Sequence, residues 1–200
     1  MKYYYPIKEN GYSKAYKYVN LDNSELNEYW IVSYNKSTQT LITKSYDATF
    51  NLYNVFEEKI NRDNAELITY TDYDKDQKEI ISHVTSSNVY NSDKMKTYSY
   101  LINYINEFGR FEFEKERTFV TFEEIVFNNK LVVAAKFMDQ YFIRAIDQFD
   151  EYTFSQNSYY VKDIGMVKYE RFVPNEPERI LQLEDILTLE EFKKLEEASR

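Results

Sequence analysis

Phe111-Glu112-Phe113-Glu114-Lys115-Glu116 is the stretch on which the fold turns. Phe111 and Phe113 oppose Glu112 and Glu114, and a period of two with one apolar and one charged side is that of a half-buried strand. Thr118 to Val126 follows, then the pair Asn128-Asn129, which is turn-prone and tolerates positive φ, then Lys130 to Met138. Within that last run Val132, Val133, Ala134 and Ala135 imply burial on both faces.

The pattern extends in both directions. Toward the C-terminus, Tyr141 to Ile146, Glu151 to Phe154 and Ser158 to Lys162 read as strands, and Gly165 precedes Met166 to Phe172, read as the last one. Gly165 is placed to supply a bulge or a positive φ there. Toward the N-terminus, Ala15 to Val19, Glu28 to Tyr34, Thr40 to Tyr46, Glu66 to Tyr70 and Glu79 to Val84 alternate in the same way, and the first strand is expected to begin at Tyr3. Asn35-Lys36-Ser37-Thr38 and Asp72-Tyr73-Asp74-Lys75-Asp76 read as hairpin connections. Segments 50–60 and 95–108 fit a helical stripe and a strand face equally, and the surrounding strands and abundant aromatic residues favour strands.

The C-terminus differs in kind. Pro174 and Pro177 punctuate the chain after Phe172, and Thr188-Leu189-Glu190-Glu191 matches a capping box with Thr188 as N-cap. Leu189, Phe192 and Leu195 then share one helix face that packs against the sheet or covers its edge. The expectation is a mainly β single domain over 1–200, strand-rich from 3 to 173 with a helical segment over 184–198. It is a single curved antiparallel sheet or half-barrel of roughly nine to eleven strands.

Composition supports that architecture. The 200 residues include 21 Tyr and 14 Phe but only 3 Gly. Tyrosine suits half-buried sheet surface, where the ring packs and the hydroxyl reaches water. A domain of this length buries roughly 70% of its unfolded surface, so its core needs no staple. The chain contains no cysteine, which removes disulfides, Cys-ligated zinc and thiol nucleophiles. The formal net charge of -9 and pI near 4.8 disfavour nucleic acid and anionic lipid, both of which call for a basic stripe. No apolar run approaches the ~20 residues of a transmembrane helix.

Catalytic signatures are scarce. His83 is the single histidine and lies in a strand-like run, Ile80-Ile81-Ser82-His83-Val84, where a hydrogen-bonded structural role is expected. Asp72, Asp74 and Asp76 have the alternating oxygens of a calcium loop. Gln77 and His83 stand where an EF-hand carries Gly and Glu, so a solvated turn is the favoured reading and weak metal binding the alternative. Glu57-Glu58 and Glu123-Glu124 are adjacent and therefore point to opposite strand faces, which does not converge on one substrate. Gly11, Gly109 and Gly165 are isolated, outside any phosphate-binding fingerprint. A non-enzyme without a cofactor is the expectation.

Three stretches carry a resemblance. Glu116-Arg117-Thr118-Phe119-Val120 leads to Phe127-Asn128-Asn129-Lys130-Leu131-Val132-Val133, and Asn157 to Glu170 contains Tyr159-Tyr160-Val161-Lys162-Asp163-Ile164-Gly165-Met166-Val167-Lys168. With Tyr3 to Gly11, this resembles poorly characterised bacterial cell-envelope β-domain proteins, many of them lipoproteins, over about half the chain. The resemblance implies a curved antiparallel sheet or half-barrel whose concave face holds an apolar or peptide ligand, and brings no catalytic residues. It departs from the pattern in the leader and lipid-attachment cysteine. A periplasmic or outer-membrane-associated location is expected for a trimmed chain, and a cytoplasmic one if Met1 is the native start.

The functional expectation is a non-enzymatic binding protein of the cell envelope that holds an apolar or peptide ligand, or a protein partner, on an aromatic concave face. The lining candidates are Tyr29, Trp30, Tyr98, Tyr100, Phe111, Phe113, Tyr159 and Tyr160. Ordinary packing is the competing reading for each. The alternative function is an acidic, cytoplasmic interaction or immunity-type protein that meets a basic partner.

Overall fold

The computed structural model describes residues 12–91 and 97–199. The strands are β1 (Tyr12–Val19), β2 (Glu28–Asn35), β3 (Thr40–Tyr46), β4 (Leu52–Ile60), β5 (Asn64–Tyr73), β6 (Glu79–Ile81) and β7 (His83–Asn91). There follow β8 (Tyr98–Asn106), β9 (Gly109–Phe127), β10 (Lys130–Ala145), β11 (Asp150–Val161), β12 (Gly165–Phe172), β13 (Arg179–Leu187) and the helix α1 (Leu189–Ser199). Segments 50–60 and 95–108 contribute β4 and β8, so both are strands where described. The strand expected from Tyr3 falls outside the described residues.

Consecutive strands pair antiparallel, and the last strand returns to the first. Ala15 to Val19 of β1 lies against Gln182 to Leu187 of β13, while β5 pairs with β4 on one side and β7 on the other. The result is a closed twelve-stranded up-and-down barrel with β6 as one extra strand. The expected open sheet or half-barrel is therefore incorrect, and so is the strand count. The missing piece was β13, in a region read as punctuation followed by helix. Leu181 and Leu183 alternate with Gln182, but a register shift between Lys17 and Tyr18 leaves Glu184 as an extra residue and interrupts the period. Without β13 the first strand has no partner, and the sheet stays open.

The helix starts at Leu189 rather than 184. Its capping box forms as the sequence indicates: Glu191 N donates to Thr188 Oγ1 at 3.2 Å, and Thr188 N to Glu191 Oε2 at 2.7 Å. Phe192 is buried outside the barrel wall, with its ring 5.8 Å from Tyr29, 5.3 Å from Tyr46 and 5.5 Å from Phe50. The helix thus covers a face of the wall, since a closed barrel has no open edge there to cover.

Several turns follow the sequence chemistry. Asn128 and Asn129 adopt φ of 50° and 58°, which joins β9 to β10 in a two-residue hairpin, and Gly165 sits at φ 104°. A bulge follows it, for Tyr160 pairs with Met166 and Tyr159 with Lys168, leaving Val167 extra. Asn35 and Asp74 each accept amide protons of their own turns. Burial on both faces, expected for residues 132–135, holds only at Ala134 and Ala135. Val133 is 52% exposed because the β9–β10 hairpin extends past the barrel and leaves one face of its tip to solvent.

The wall is not uniform. β7 meets β5 only from Asn64 to Glu66, and β6 takes over from Thr71 to Tyr73. Leu67 to Thr69 has no ladder partner on β7. Ser82 Oγ and Asn88 Oδ1, which flank this interval, are buried without hydrogen-bond partners.

Inside, the barrel is filled over part of its height. Leu41, Ile102, Phe137, Tyr169, Leu181 and Val32 belong to one continuous buried cluster. A barrel of about eight strands is just filled by its side chains, and interior width grows with strand number. Twelve strands leave room for a cavity.

A polar cavity inside the barrel

The cavity measures about 510 Å³ and lies within the barrel. Glu25 and Asn27 from the β1–β2 connection and Asp47 from the β3–β4 turn border it, so it reaches the end of the barrel that carries these loops.

Register builds its most ordered wall. Tyr98 of β8, Arg117 of β9, Asp139 of β10, Gln156 of β11, Arg171 of β12 and Arg179 of β13 are successive cross-strand partners, so they form one polar tier around half of the barrel. The next tier toward the open end is Tyr100, Lys115, Tyr141 and Phe154. On the other side of the polar tier, Phe119, Phe137, Ser158, Tyr169 and Leu181 form the apolar floor. Side chains two residues apart along a strand share a face, which is why three tiers of distinct chemistry stack inside one wall.

The polar tier is held by specific bonds. Arg117 grips Asp139 in a fork, Nε to Oδ1 and Nη2 to Oδ2, the latter at 2.8 Å, and its Nη1 donates to Tyr160 at 3.2 Å. Ser158 Oγ donates to the same carboxylate at 2.8 Å, and Lys115 Nζ lies 3.4 Å away. Burial alone would raise the Asp139 carboxyl, but Arg117 and Lys115 outweigh it and hold the pKa at about 2. Burial and the neighbouring Arg117 push the Lys115 ammonium down.

Arg171 is bound differently. Its Nε and Nη2 both donate to Gln156 Oε1, at 3.0 and 2.9 Å, and its guanidinium lies over Phe154 and Tyr169 at 5.7 and 5.2 Å. Beside it, Arg179 pairs with Glu28 at 2.9 Å, and Trp30 Nε1 donates to the other Glu28 oxygen at 3.1 Å.

The opposite wall is acidic. Glu58, Asp72 and Asp47 line it from β4, β5 and the β3–β4 turn. Burial raises the Asp72 carboxyl to about 6, partly offset by a hydrogen bond from Tyr70. Aromatic rings join the two walls: Phe56 lies 5.6 Å from Tyr100, Tyr100 6.0 Å from Phe113, and Tyr141 stacks on Phe154 at 4.3 Å.

The aromatic candidates separate into groups. Trp30, Tyr100, Phe113 and Tyr160 line the cavity. Tyr98 stands in the polar tier with its hydroxyl buried and unbonded. Tyr29 points outward beneath Phe192. Phe111 stacks on Tyr104 at 5.3 Å and borders a separate surface groove with Ile81, His83 and Ile105. Tyr159 faces away from Tyr160, between Lys136 and Lys168 at 5.1 and 5.2 Å, and donates to Glu170 at 2.7 Å. Tyr159 and Tyr160 are adjacent, so only one can enter the barrel.

Of the acidic trio, Asp72 enters the cavity whereas Asp74 binds its own turn, accepting from Asp76 N and Lys78 N at 2.9 Å each. Among the described residues no group of three or more His, Cys, Asp or Glu is placed to hold a metal ion.

The charged residues of the cavity were missed by sequence reasoning, although a signal existed. Lys115 and Arg117 continue the parity of Phe111 and Phe113 and thus belong to the apolar side of β9. A cation on the inward side of a strand is the mark of a buried polar site.

The architecture is that of a closed meander barrel with a polar, aromatic-walled interior. It is shared with a Bacteroides fragilis protein described as a "putative exported protein with YmcC-like fold", at TM-score 0.61 and 13% identity, covering 94% of this chain and 100% of that one. A "putative lipoprotein" of Parabacteroides distasonis aligns at TM-score 0.60 and 12% identity, over 92% of this chain and 97% of that one. At such identity the likeness is one of fold. No family model and no curated protein matches the chain. No helix among the described residues is long and apolar enough to cross a membrane.

Proposed function

We propose that this protein is a binding protein of the bacterial cell envelope that holds a small ligand inside its barrel. The observation that carries the reading is the cavity of about 510 Å³. Small-molecule sites commonly span ~300–1,000 Å³, with apolar and aromatic walls and a few placed polar groups. Trp30, Phe56, Tyr100 and Phe113 supply the walls, and Arg171 and Asp72 are among the polar groups. The ligand belongs inside a closed barrel and not on the open concave face expected from sequence. The descriptions of the two structures that share the fold, one as exported and one as a lipoprotein, support the envelope setting.

Native mass spectrometry of protein purified from a bacterial host tests this. The expected result is an added mass that disappears on unfolding. A spectrum of bare protein, together with no response to a panel of small aromatic and aliphatic compounds, would overturn the reading. Asp72 is the group on which an enzymatic alternative would turn, and recovery of the ligand unaltered after incubation is the outcome expected of a binding protein.

A further inference from the structure

Resting on that ligand-binding reading, we infer that the cavity selects ligands carrying a carboxylate, which pairs with Arg171 while the apolar or aromatic body lies against Trp30, Phe56 and Phe113. Four observations lead there.

The first is the partner of Arg171. Every other arginine or lysine of the cavity wall has a carboxylate: Arg117 and Lys115 share Asp139, and Arg179 has Glu28. Among the described residues, the hydrogen-bond partner of Arg171 is the carbonyl oxygen of Gln156, which absorbs two of its five N–H groups. An enclosed guanidinium without a counter-charge costs several kcal/mol relative to one that is paired. Arg171 lines the cavity, and three of its five N–H groups take no part in the Gln156 bonds.

The second is the local charge balance. Lys115, Arg117 and Arg171 stand on β9 and β12 with one carboxylate, Asp139, between them in the tier. Asp139 is already saturated by Arg117, Lys115 and Ser158. Glu28 attracts Arg171 at a distance, but its two oxygens are bound to Arg179 and Trp30.

The third is orientation. Asp72 and Asp47 line the opposite wall, so an anionic group is repelled from that side and drawn toward β12. The fourth is the fork itself: a planar guanidinium fixed by Gln156 and by the rings of Phe154 and Tyr169 presents a pre-set edge for bidentate contact with a carboxylate.

The probes are 4-phenylbutyrate and 4-phenylbutanol, which share a body and differ in the head group. Calorimetric titration at low salt is expected to show the acid binding at least about tenfold more tightly than the alcohol, with the preference shrinking as salt is added. Arg171→Gln is expected to abolish the preference of the folded protein for the acid over the alcohol. Equal binding of the two probes by the unsubstituted protein overturns the inference and leaves the barrel as a binding site, a result that needs no variant to fold. Retention of the preference in a folded Arg171→Gln protein also overturns it. Failure of both probes to bind overturns the inference, while the reading beneath it stands or falls on the native mass spectrum and the compound panel.

Discussion

Arg171 meets Gln156 across β12 and β11 through two N–H groups converging on a single carbonyl oxygen, at 3.0 and 2.9 Å. Two strands away, at the same height, Arg117 meets Asp139 through two N–H groups spread over two carboxylate oxygens. One arginine is neutralised within the fold, whereas the other is only solvated by it. That difference assigns structural work to the first pair and leaves the second arginine for a ligand.

The Arg117–Asp139 pair is expected to govern stability. Asp139→Asn would leave a buried guanidinium uncompensated and cost about 3–5 kcal/mol, read as a lower urea midpoint. Replacing both partners by Met and Leu should cost much less than Asp139→Asn alone. The pH dependence follows from a folded pKa of about 2. It is depressed below the unfolded value, so the pair's contribution is present above about pH 4 and lost as pH falls toward 2.

Asp72 should behave in the opposite sense. Its folded pKa of about 6 lies above the unfolded value near 3.8. The folded state therefore binds the extra proton between those limits, and stability falls as pH rises through that window. At neutral pH the charged carboxylate costs about 3 kcal/mol. Asp72→Asn is expected to raise the melting temperature at pH 7.5 and to change it little at pH 4. An equal effect at both pH values would contradict the assignment.

Phe192→Ala should undock the helix from the wall. Removing a buried phenylalanine costs about 3–5 kcal/mol. Tyr29, which Phe192 touches, and Trp30 project to opposite faces of β2, so Trp30 emission in the folded variant should match that of the parent. A shifted emission would show that the helix supports the cavity.

Hydrogen exchange should locate the weakest part of the wall at the junction of β5 with β6 and β7. Leu67 to Thr69 has no ladder partner on β7, and Ser82 and Asn88 carry unbonded buried oxygens beside it. The amides of this junction are expected to exchange faster than those of β9 and β10, which pair continuously from Lys130 to Ala145 apart from one bulge.

Strand content was readable from period two, and the turns at Asn128-Asn129 and Gly165 from residue chemistry. Closure was not, because alternation is the same in an open sheet and a closed barrel. The strand that completes the circle, β13, contains a bulge at Glu184 that disguises its period. The breaks read within β9, β10 and β11 fall at Arg117, at Asp139-Gln140 and across 155–157. In the structure these strands run through without interruption, and the residues at the breaks include the buried polar tier itself. A charge at an inward position looks like the end of a strand when it is the centre of a site. Trp30, Tyr100, Phe113 and Tyr160 were legible as lining residues from their aromatic side chains, whereas Asp72 was hidden by the reading of 72–76 as a turn, and Arg171 lay inside the recognised strand Met166 to Phe172 with no face assigned to it.

A small molecule that enters the barrel comes to lie beside Trp30. The chain contains one tryptophan, so its indole N–H gives a single assignable signal in a ¹⁵N–¹H correlation spectrum. Titration with 4-phenylbutyrate is expected to move that signal together with the amides of β9, β11 and β12 that flank the cavity, while the amides of α1 stay in place. A Trp30 signal that stays fixed at saturating ligand, with shifts confined to the outer surface, would contradict the account.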